Sequence, residues 1–481
     1  MSAHNRPGRH STSRRSFLKN AVATGVTLAA GPYIVRGRTQ ETQEAETQPT
    51  TQPKYKDVRV AFVGTGGIGG YHFDHAAKEL GVSCPCYCDV DTDRYGKFAE
   101  RFPEARAYQD YRKMFDREHK NIDAVMIGTP DHHHFPATII AMQLGKHVYT
   151  QKPLTHTPWE ARQLALAAQK YRVATQMGNQ GRSMEGWRLI YEWVHSGALG
   201  DIKETHTWTN RPVWPQGGDR PEEPDDVPDS LDWDCWLGPA PERPYKAKAY
   251  HPFVWRGWWD FGAGALGDMA CHTMDAIFGT FAPGYPTAIE VLACTPVHKE
   301  EAQEPTVREM FPKASIVKWH WPANGKRPAF ASYWYDGELM PQTPACLEPD
   351  RKMPETGNLF IGTKGTMLIR GDYCEHPRFI PETKMREVGK PPQILERSPG
   401  HVEEWLMACA GEKPVDFPKS NFAYAGPFTE AILLGNIALR FGRKLLYDGQ
   451  KAEFTNLPAA NQHISKEYRR GWTPEELGWK G

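Results

Sequence analysis

An aspartate and a histidine that stand four residues apart could together move a proton. Asp268 and His272 follow a stretch, 262–267, that contains three glycines. Residues at i and i+4 share one face of a helix, and an imidazole can take a hydroxyl proton near neutral pH. Glycines would let the backbone approach a substrate closely. Taken alone, the pair is equally compatible with a helix cap and a buried core histidine.

Glycines with the spacing of a dinucleotide-binding turn occur far upstream of this pair. The apolar run from Val58 to Val63 predicts a strand, and G-x-G-x-x-G follows it at Gly64, Gly66 and Gly69. In a strand-turn-helix unit these glycines permit a tight turn, approach of the backbone to a pyrophosphate, and close packing of the helix. The elements that must position the proton-transfer pair therefore include a dinucleotide-binding domain.

The next predicted strand ends at Asp89, twenty residues after Gly69. At that offset a carboxylate meets the ribose hydroxyls of the adenosine, which favours NAD over NADP. Arg94 lies close enough in sequence to meet a 2′-phosphate instead, so NADP stays an alternative. If Asp89 binds no ligand, it is simply a solvated aspartate at the end of a strand.

A further buried strand, Ile122 to Ile127, is predicted to end in the turn 128–134, which carries three adjacent histidines. Ligands bind at such strand ends in open parallel sheets. Consecutive residues of a turn point in different directions and cannot easily converge on one ion, so no metal site is predicted here. Another strand candidate, His147 to Tyr149, leads into Gln151-Lys152-Pro153.

Together these motifs resemble the Gfo/Idh/MocA family of oxidoreductases. The resemblance rests on the glycine turn, on Thr-Pro-Asp-x-x-His ending at His134, on Lys152-Pro153, and on Asp268-x-x-x-His272. It implies that Lys152, Asp268 and His272 surround the nicotinamide of NAD(P) as the catalytic residues. His272 is the expected base, Asp268 its orienter or a ligand of a neighbouring hydroxyl, and Lys152 a donor to the reacting oxygen. The choice of base between His272 and Lys152 stays open, because a positively charged nicotinamide would also depress the pKa of the lysine.

The resemblance also implies a set of cofactor-binding residues. These are Gly64, Gly66, Gly67, Ile68, Gly69, Asp89, Thr129, Pro130, His134, Gln151, Lys152 and Asn179. Asn179 follows an apolar strand, and a simple turn is an equally good interpretation of it. The family has glutamate where this chain has Gln151, so the lost charge could alter how Lys152 or the cofactor amide is held.

Aromatic and polar side chains that could bind a carbohydrate occur in the second half of the chain. The candidate substrate-binding residues are Trp208, Asn210, Arg211, Trp259 and His272. Tryptophans and prolines concentrate between Trp187 and Trp259, where flat apolar faces could stack on sugar rings. Packing within the second domain is an equally good interpretation of them.

The order of helix and strand patterns predicts an α/β protein of two domains. We place an NAD(P)-binding Rossmann domain at 57–178 and a second α/β domain with a large, mainly antiparallel open sheet at 179–472, followed by a tail at 473–481. The proline-rich excursion 212–249 reads as an ordered loop that covers the active site or an interface. In the family the open face of this sheet forms dimers and tetramers, so a homodimer or homotetramer is expected by resemblance.

The N-terminus predicts a destination outside the cytoplasm. The segment Ser13 to Lys19 has the form of a twin-arginine (Tat) export motif, so residues 1–37 are predicted to be a signal peptide read by the Tat machinery and 38–56 a disordered linker. The apolar run after the motif is too short for a stable membrane span, so membrane insertion is not expected. The pathway carries folded cargo, which predicts a periplasmic or otherwise extracytoplasmic enzyme that keeps its cofactor tightly bound.

Composition argues against a nucleic-acid partner and against a zinc site or disulfide framework. The 58 basic residues balance the 58 acidic ones, so no overall field attracts nucleic acid. The nine cysteines are an odd number and form no CxxC pair, so neither a zinc site nor a disulfide framework is predicted.

Three functions remain open on the residues. The first is hydride transfer between bound NAD(P) and a secondary hydroxyl of a sugar, cyclitol or sugar derivative. The second is an NAD-dependent glycoside hydrolase that oxidises, eliminates and reduces again, which suits a compartment without a soluble NAD pool. The third, a non-catalytic sugar-binding protein, is disfavoured because Lys152, Asp268 and His272 are all present.

Overall fold

Residues 54–295 and 309–481 are described by a computed structural model of the chain. The export motif, the rest of the segment 1–37 and most of the linker 38–56 lie outside the described residues, so their predicted roles stay predictions. In the described part the predicted fold class is confirmed. A parallel sheet of Rossmann type is followed by a large, mostly antiparallel sheet.

Six short strands form the first sheet, in the order β3-β2-β1-β4-β5-β6 with every pair parallel. They are β1 (Val60–Val63), β2 (Cys86–Cys88), β3 (Arg106–Tyr108), β4 (Ala124–Ile127), β5 (His147–Thr150) and β6 (Thr175–Met177). The central strands β1 and β4 are buried along their whole length, as expected where helices cover both faces of a parallel sheet. The strand order reverses between β1 and β4, and dinucleotides bind at such a switch point.

Helices alternate with these strands along the chain. They are α1 (Ile68–His72), continued by a π-helical stretch at Phe73–Glu79, then α2 (Gly96–Arg101), α3 (Tyr111–Glu118), α4 (His134–Gln143) and α5 (Pro158–Tyr171). The start of α5 is a capping box, in which the Thr157 hydroxyl accepts from the Glu160 amide and the Glu160 carboxylate accepts from the Thr157 amide. This cap ends the loop that carries Lys152.

The second sheet has nine strands in the order β13-β12-β11-β7-β10-β9-β8-β14-β15. They are β7 (Ile202–Trp208), β8 (Ala288–Thr295), β9 (Ala314–Trp321), β10 (Phe330–Asp336), β11 (Gly357–Gly362), β12 (Thr366–Arg370), β13 (Glu375–Ile380), β14 (Leu445–Asp448) and β15 (Glu453–Phe454). Only the pair β7 and β10 is parallel. In β9 buried residues alternate with half-exposed ones, so one face packs on helices and the other is more open.

Seven further helices belong to this second part. They are α6 (Glu185–His195), α7 (Trp233–Leu237), α8 (Gly264–Thr273), α9 (Asp275–Phe281), α10 (Glu382–Val388), α11 (His401–Cys409) and α12 (Phe422–Phe441). All ten residues of α8 are buried, between α12 and the 3₁₀ turn Val254–Gly257. Within the described residues α12 is the one helix long and apolar enough to cross a membrane, and it lies in the core of this fold.

The last residues of the chain return to the first domain. The indole of Trp479 is buried and donates to Gln163 on α5 at 3.1 Å, and the Leu477 carbonyl accepts from Gln143 on α4 at 3.0 Å. The guanidinium of Arg112 on α3 stacks 3.8 Å from the ring centre of Trp472. The helices on one face of the Rossmann sheet are thus completed by the C-terminus.

Candidate active site

A cavity of about 410 Å³ lies where the carboxyl ends of the parallel strands meet α8. Val63, Asp89, Gly128 and Gln151 line it, and each stands at or just after the end of a strand of the first sheet. From the second domain, Asp268, Met269 and His272 on α8 reach the same space. The glycine turn and the proton-transfer pair, separated by two hundred residues in sequence, therefore face one cavity.

The glycine turn has the close backbone contacts that its spacing predicts. Gly64 has φ of +84°, and a Cβ on it would stand 2.7 Å from the Gly128 carbonyl oxygen. A Cβ on Gly69 would stand 2.1 Å from the Gly64 carbonyl oxygen. Real Cβ atoms do not approach a carbonyl so closely, so both positions require glycine for the turn between β1 and α1 to close.

Replacing Gly69 with alanine is expected to destabilise the protein by about 1–3 kcal/mol, the usual cost of overpacking, and to lower its content of bound dinucleotide. Gly70 provides the matched control, since a Cβ there meets nothing within 4 Å. Thermal unfolding of Gly69→Ala and Gly70→Ala, with the nucleotide content of each, measures the difference. Equal stability and equal nucleotide content of the two variants would contradict this account of the turn.

Asp89 braces the glycine turn from the end of β2. Its Oδ2 accepts from the Thr65 amide at 2.8 Å and from the Gly66 amide at 3.3 Å, while Oδ1 accepts from the Asp91 amide at 3.1 Å. The carboxylate also lines the cavity. Asp91 in turn pairs with Arg94 at 3.2 Å, so the arginine next to the turn already has an acidic partner.

Lys152 and Asp268 form a buried ion pair on the cavity wall. Lys152 Nζ lies 3.0 Å from Asp268 Oδ1 and donates to the Asp268 carbonyl oxygen at 3.0 Å. Arg256 Nε lies 3.4 Å from the same carboxylate oxygen. Burial pushes the pKa of Asp268 upward, but the two cations outweigh burial and hold this pKa below its ordinary value. Asp268 is therefore ionised and fixes the lysine at the cavity.

His272 stands one turn further along α8 with an unused ring nitrogen. Its Nδ1 is buried and has no hydrogen-bond partner in the described part of the chain. Burial, followed by the charge of Lys152, holds the pKa of His272 well below 6.5. The ring packs edge-on against Tyr373, with centroids 4.7 Å apart. A neutral imidazole at this position can accept a proton from a ligand.

Asp131 joins the strand-end turn to the start of α8. Its Oδ2 accepts from the Ala263 amide at 3.0 Å, and the side chain lines the same cavity as Asp268. Burial, together with the charge of Asp268, raises the pKa of Asp131 to about 8. The folded protein therefore keeps Asp131 protonated up to mildly alkaline pH, and the acid can donate a hydrogen bond into the cavity.

Asp131→Asn is expected to stabilise the protein, and by more as pH rises. The folded state retains the proton up to about pH 8, whereas the unfolded chain releases it near pH 4. The wild type therefore loses up to about 1.4 kcal/mol per pH unit between these values, while the asparagine keeps an acceptor for Ala263 and does not titrate. Melting temperatures between pH 4 and 8 test this, with the exposed Asp116→Asn as control. If the difference in melting temperature between Asp131→Asn and wild type were constant over this pH range, the prediction would be wrong.

Gln151 pairs with a residue that sequence reasoning missed. Its amide nitrogen lies 2.8 Å from Nε2 of His72, at the end of α1, and its amide oxygen accepts from the Lys152 backbone at 3.3 Å. Burial lowers the pKa of His72 to about 3. In the neutral tautomer that carries its proton on Nδ1, His72 has a lone pair on Nε2, and a neutral amide that donates to it suits the site. His72 therefore gives the Gln151 amide an acceptor, whereas an ionised glutamate at this position would have no proton to donate to it.

The ring nitrogens of the three adjacent histidines all face protein oxygen atoms, and His132 and His133 share the Trp236 carbonyl. The ring nitrogens of His132 lie 3.1 Å from the Phe261 carbonyl and 3.0 Å from the Trp236 carbonyl, and those of His133 face Tyr111 and Trp236. His134 lies 2.7 Å from the Pro153 carbonyl and 3.0 Å from the Thr129 carbonyl. Within 54–295 and 309–481 no group of three or more His, Cys, Asp or Glu side chains is placed to hold a metal ion.

The excursion after β7, residues 212–259, which we call the strap, crosses to the first domain. Thr92 donates its amide to the Ser230 carbonyl at 3.0 Å, and Asp232 donates to the Val90 carbonyl at 2.9 Å. His251 Nε2 lies 2.9 Å from Asp91 Oδ2. Other strap residues, among them Trp214, Trp236, Trp255 and Arg256, line the cavity. The strap thus covers the end of β2 and forms one wall of the cavity.

Most, but not all, of the predicted site residues line this cavity. Those that do are Gly64, Gly66, Gly67, Ile68, Asp89, Thr129, Pro130, Gln151, Lys152, Arg211, Asp268 and His272. Gly69 and His134 act behind it, through the turn and the Pro153 carbonyl. Asn179 donates to Asp275 at 3.1 Å, and Trp208 is fully buried. Asn210 and Trp259 line other cavities. The role of each predicted residue in binding stays a prediction.

Several residues at the cavity were not assigned a role from sequence, among them Asp131, Arg256 and Tyr373. Asp131 lies inside the Thr-Pro-Asp turn, so its position after a strand was the available signal. Arg256 precedes the Trp-Trp-Asp segment 258–260 and carries no signal of its own. Tyr373 lies in the turn between β12 and β13, and only the pairing of these strands brings it to His272.

Comparison with known families supports the dinucleotide-binding assignment. An oxidoreductase family model with an NAD-binding Rossmann fold matches residues 58–179, and the model of that family's C-terminal alpha/beta domain matches residues 193–306. The predicted NAD cofactor is thereby confirmed at the level of the family.

Curated relatives and solved structures are more distant. A glycosyl hydrolase family 109 protein from Shewanella pealeana is 27% identical over 206 residues, which are 40% of this chain and 44% of the relative. An alpha-N-acetylgalactosaminidase from Shewanella oneidensis is 26% identical over 210 residues, 40% of this chain and 45% of the relative. The chain thus spans about half the length of the curated relatives it matches.

One solved structure shows the same fold over most of the chain. The WlbA dehydrogenase from Chromobacterium violaceum, in complex with NADH and UDP-GlcNAcA, covers 83% of this chain and 98% of its own at 19% identity and a TM-score of 0.55. At this identity the likeness concerns the arrangement of the two sheets alone.

Proposed function

This chain belongs to the Gfo/Idh/MocA family of oxidoreductases, and from that premise we propose that it transfers hydride between tightly bound NAD and a secondary hydroxyl of a sugar, cyclitol or sugar derivative. The observation that carries the proposal is the convergence of Lys152, Asp268 and His272 on the cavity that the glycine turn opens into.

The residues present fit a dinucleotide. Gly67 of the turn lines the cavity, and a Cβ on it would meet nothing within 4 Å, so the backbone there is open to a pyrophosphate. Asp89 lies where a ribose would be bound, and its neighbour Arg94 is paired with Asp91, which favours NAD over NADP. The strap covers the same strand end, so a bound dinucleotide would be held by both domains. Bound NAD would supply the two-electron acceptor next to α8.

The chain's own side chains then divide the proton work. A hydroxyl placed between Lys152 and His272 would accept a hydrogen bond from Lys152 Nζ and give its proton to the imidazole of His272 as the carbon loses hydride and the C=O bond forms. Asp268 holds Lys152 in place through the 3.0 Å ion pair. Protonated Asp131 offers a donor to a neighbouring substrate oxygen.

A redox-neutral glycoside hydrolase is the second candidate. Two observations favour it: the curated relatives named glycosyl hydrolase family 109 protein and alpha-N-acetylgalactosaminidase, and the strap, which suits a cofactor that is never released. In that reaction the same base would serve oxidation of a ring carbon, and the hydride would return to the product. The residues of the cavity serve both candidates equally.

Mass spectrometry of the denatured protein, followed by a substrate screen, tests both candidates. We expect purified full-length protein to release NAD(H), to reduce or oxidise it with one of a panel of free sugars, and to show this as a net change in absorbance. Release of an aryl aglycone from glycosides without net NADH would instead select the hydrolase. Protein that contains no nucleotide and binds none, while still binding sugars, would leave the non-catalytic sugar-binding function.

The same proposal includes a location and an assembly. The motif Ser13 to Lys19 supports export of the folded, cofactor-loaded enzyme by the Tat machinery to the periplasm. Fusion of residues 1–37 to a reporter should give Tat-dependent export that the double substitution Arg14→Lys, Arg15→Lys abolishes.

The half-exposed face of the second sheet supports a homodimer or homotetramer, which light scattering during gel filtration would measure. A monomer at micromolar concentration would contradict the assembly.

A further inference from the structure

A second cavity, of about 400 Å³, lies beneath the glycine-rich turn that leads into α8. None of the residues that line it also lines the active-site cavity. The two cavities are separated by the segment 259–263, whose Ala263 amide donates to Asp131 on one side and whose Ala263 carbonyl accepts from Asn436 at 2.8 Å on the other. The second cavity is therefore a distinct space that shares a backbone wall with the active site.

One stripe of helix α12 forms a side of this cavity. Leu433, Asn436, Ile437 and Arg440 all line it, with the i, i+3, i+4, i+7 spacing of a single helix face. Core helices normally carry apolar residues along such a stripe. Here an amide and a guanidinium about one helical turn apart, roughly 6 Å, face a space together with two aliphatic side chains.

Polar atoms on this wall lack partners. The Asn436 Oδ1 and the Trp259 Nε1 are both buried and have no hydrogen-bond partner in the described ranges. One is an acceptor and the other a donor. Most buried polar atoms in proteins are hydrogen-bonded, and an unpaired one costs about 1–3 kcal/mol. Both atoms are covered in this structure, so one ligand that carries a hydroxyl and an oxygen acceptor would satisfy them once the side chains of Asn436 and Trp259 turn toward the cavity.

The charge of Arg440 is also uncompensated. Its guanidinium lies 4.0 Å from the ring centre of Trp259, and over 54–295 and 309–481 no carboxylate lies within ion-pair distance of it. The neighbouring charges are already taken, since Lys466 pairs with Glu160 at 2.9 Å and Asp260 pairs with Arg243. Burial lowers the pKa of Arg440 to about 10, so the side chain is still a cation at neutral pH. Two carboxylates also line the cavity, Asp260, which is paired with Arg243, and the exposed Glu467, but neither forms an ion pair with Arg440. A cation without an ion-pair partner favours an anionic ligand.

We propose that this cavity, the acid pocket, binds a small hydroxylated organic acid, whose carboxylate pairs with Arg440 and whose hydroxyl donates to Asn436 Oδ1. Trp259 Nε1 supplies a second donor to the carboxylate, and Leu433 and Ile437 contact the carbon chain. A bound ligand gives hydrogen-bond partners to Asn436 Oδ1 and Trp259 Nε1 and so tightens the segment 259–263. The pocket is additional to the substrate site, because the ligand never reaches Lys152 or His272.

Isothermal titration of the NAD-loaded, full-length protein with D-gluconate tests the proposal, with D-sorbitol as the neutral counterpart of similar size. We expect gluconate to bind, and sorbitol to bind at least about tenfold more weakly, since a hydrogen bond to a charged group is worth that much. Arg440→Gln should weaken gluconate binding by about tenfold or more. Arg440→Lys should weaken it less, because lysine keeps the positive charge although it lacks the planar fork of the guanidinium. The exposed Arg117→Gln removes the same charge elsewhere and should leave binding unchanged.

Lys152→Met locates the binding. If gluconate occupied the active site, that substitution and not Arg440→Gln would weaken it, and the proposal would be wrong. Equal affinity for gluconate and sorbitol, equal affinity of Arg440→Gln and wild type, or no binding at millimolar gluconate would each overturn it as well. None of these results depends on turnover, so failure here leaves the proposed oxidoreductase untouched.

Discussion

Turnover by His272→Ala is expected to be about 10²–10⁴-fold slower than wild type, which is the usual contribution of a positioned proton acceptor. The imidazole is buried and neutral, and its Nδ1 has no partner in the described part of the structure. Removing it leaves the hydroxyl of the substrate without a base while the glycine turn and Asp89 are unchanged. Steady-state kcat with the best sugar of the screen, together with NAD content per chain, measures the effect.

Chemical rescue makes this experiment specific to proton transfer. Added imidazole should restore part of the turnover of His272→Ala, because the substitution leaves space for it. His272→Gln fills that space without providing a base, so it should be as slow and insensitive to imidazole. Near-normal kcat of both variants would place the base elsewhere, with Lys152 the first alternative.

Lys152→Met is expected to lower kcat by about 10²–10³-fold, the cost of losing one preorganised donor to the reacting oxygen. It should also change the pH dependence. The lysine charge is, after burial, the main cause of the low pKa of His272, so its removal lets this pKa rise. A variant whose residual turnover falls as pH drops through the mildly acidic range, where wild-type turnover is flat, would show both effects.

Lys152→Arg separates the two roles of the lysine. It keeps the positive charge next to Asp268 and His272, so its pH profile should stay flat, while the altered geometry should still slow turnover. If Lys152→Met has the same flat profile as wild type, the lysine does not set the protonation of His272. If its kcat is also normal, Lys152 is not at the reacting oxygen.

Local patterns predicted the elements of this fold well. The apolar run before Gly64 and the Asp268-His272 spacing both depend on interactions between residues close in sequence, and they are found in the structure within β1 and α8. The spacing of apolar residues determines which face is buried, so a single sequence carries this information.

Contacts between distant segments could not be predicted in this way. Asp131 meets Ala263, Gln151 meets His72, and Tyr373 meets His272 only after both sheets have formed. Each of these pairs joins residues 79 or more positions apart, and neither partner has a local pattern that points to the other. The acid pocket could not be predicted from sequence for the same reason, because α12 and the turn at Trp259 come together only through tertiary packing.

The return of residues 472–479 to the first domain constrains the order in which the protein can fold. Trp472 and Trp479 complete the packing of α3 and α5, so the Rossmann half lacks part of its own core until the last residues of the chain have been made. The first domain therefore cannot complete its packing until a segment more than 300 residues after α5 has been synthesised, since Trp479 and Gln163 are 316 positions apart. A chain truncated before Trp479 would lose this indole and with it a buried contact of α5.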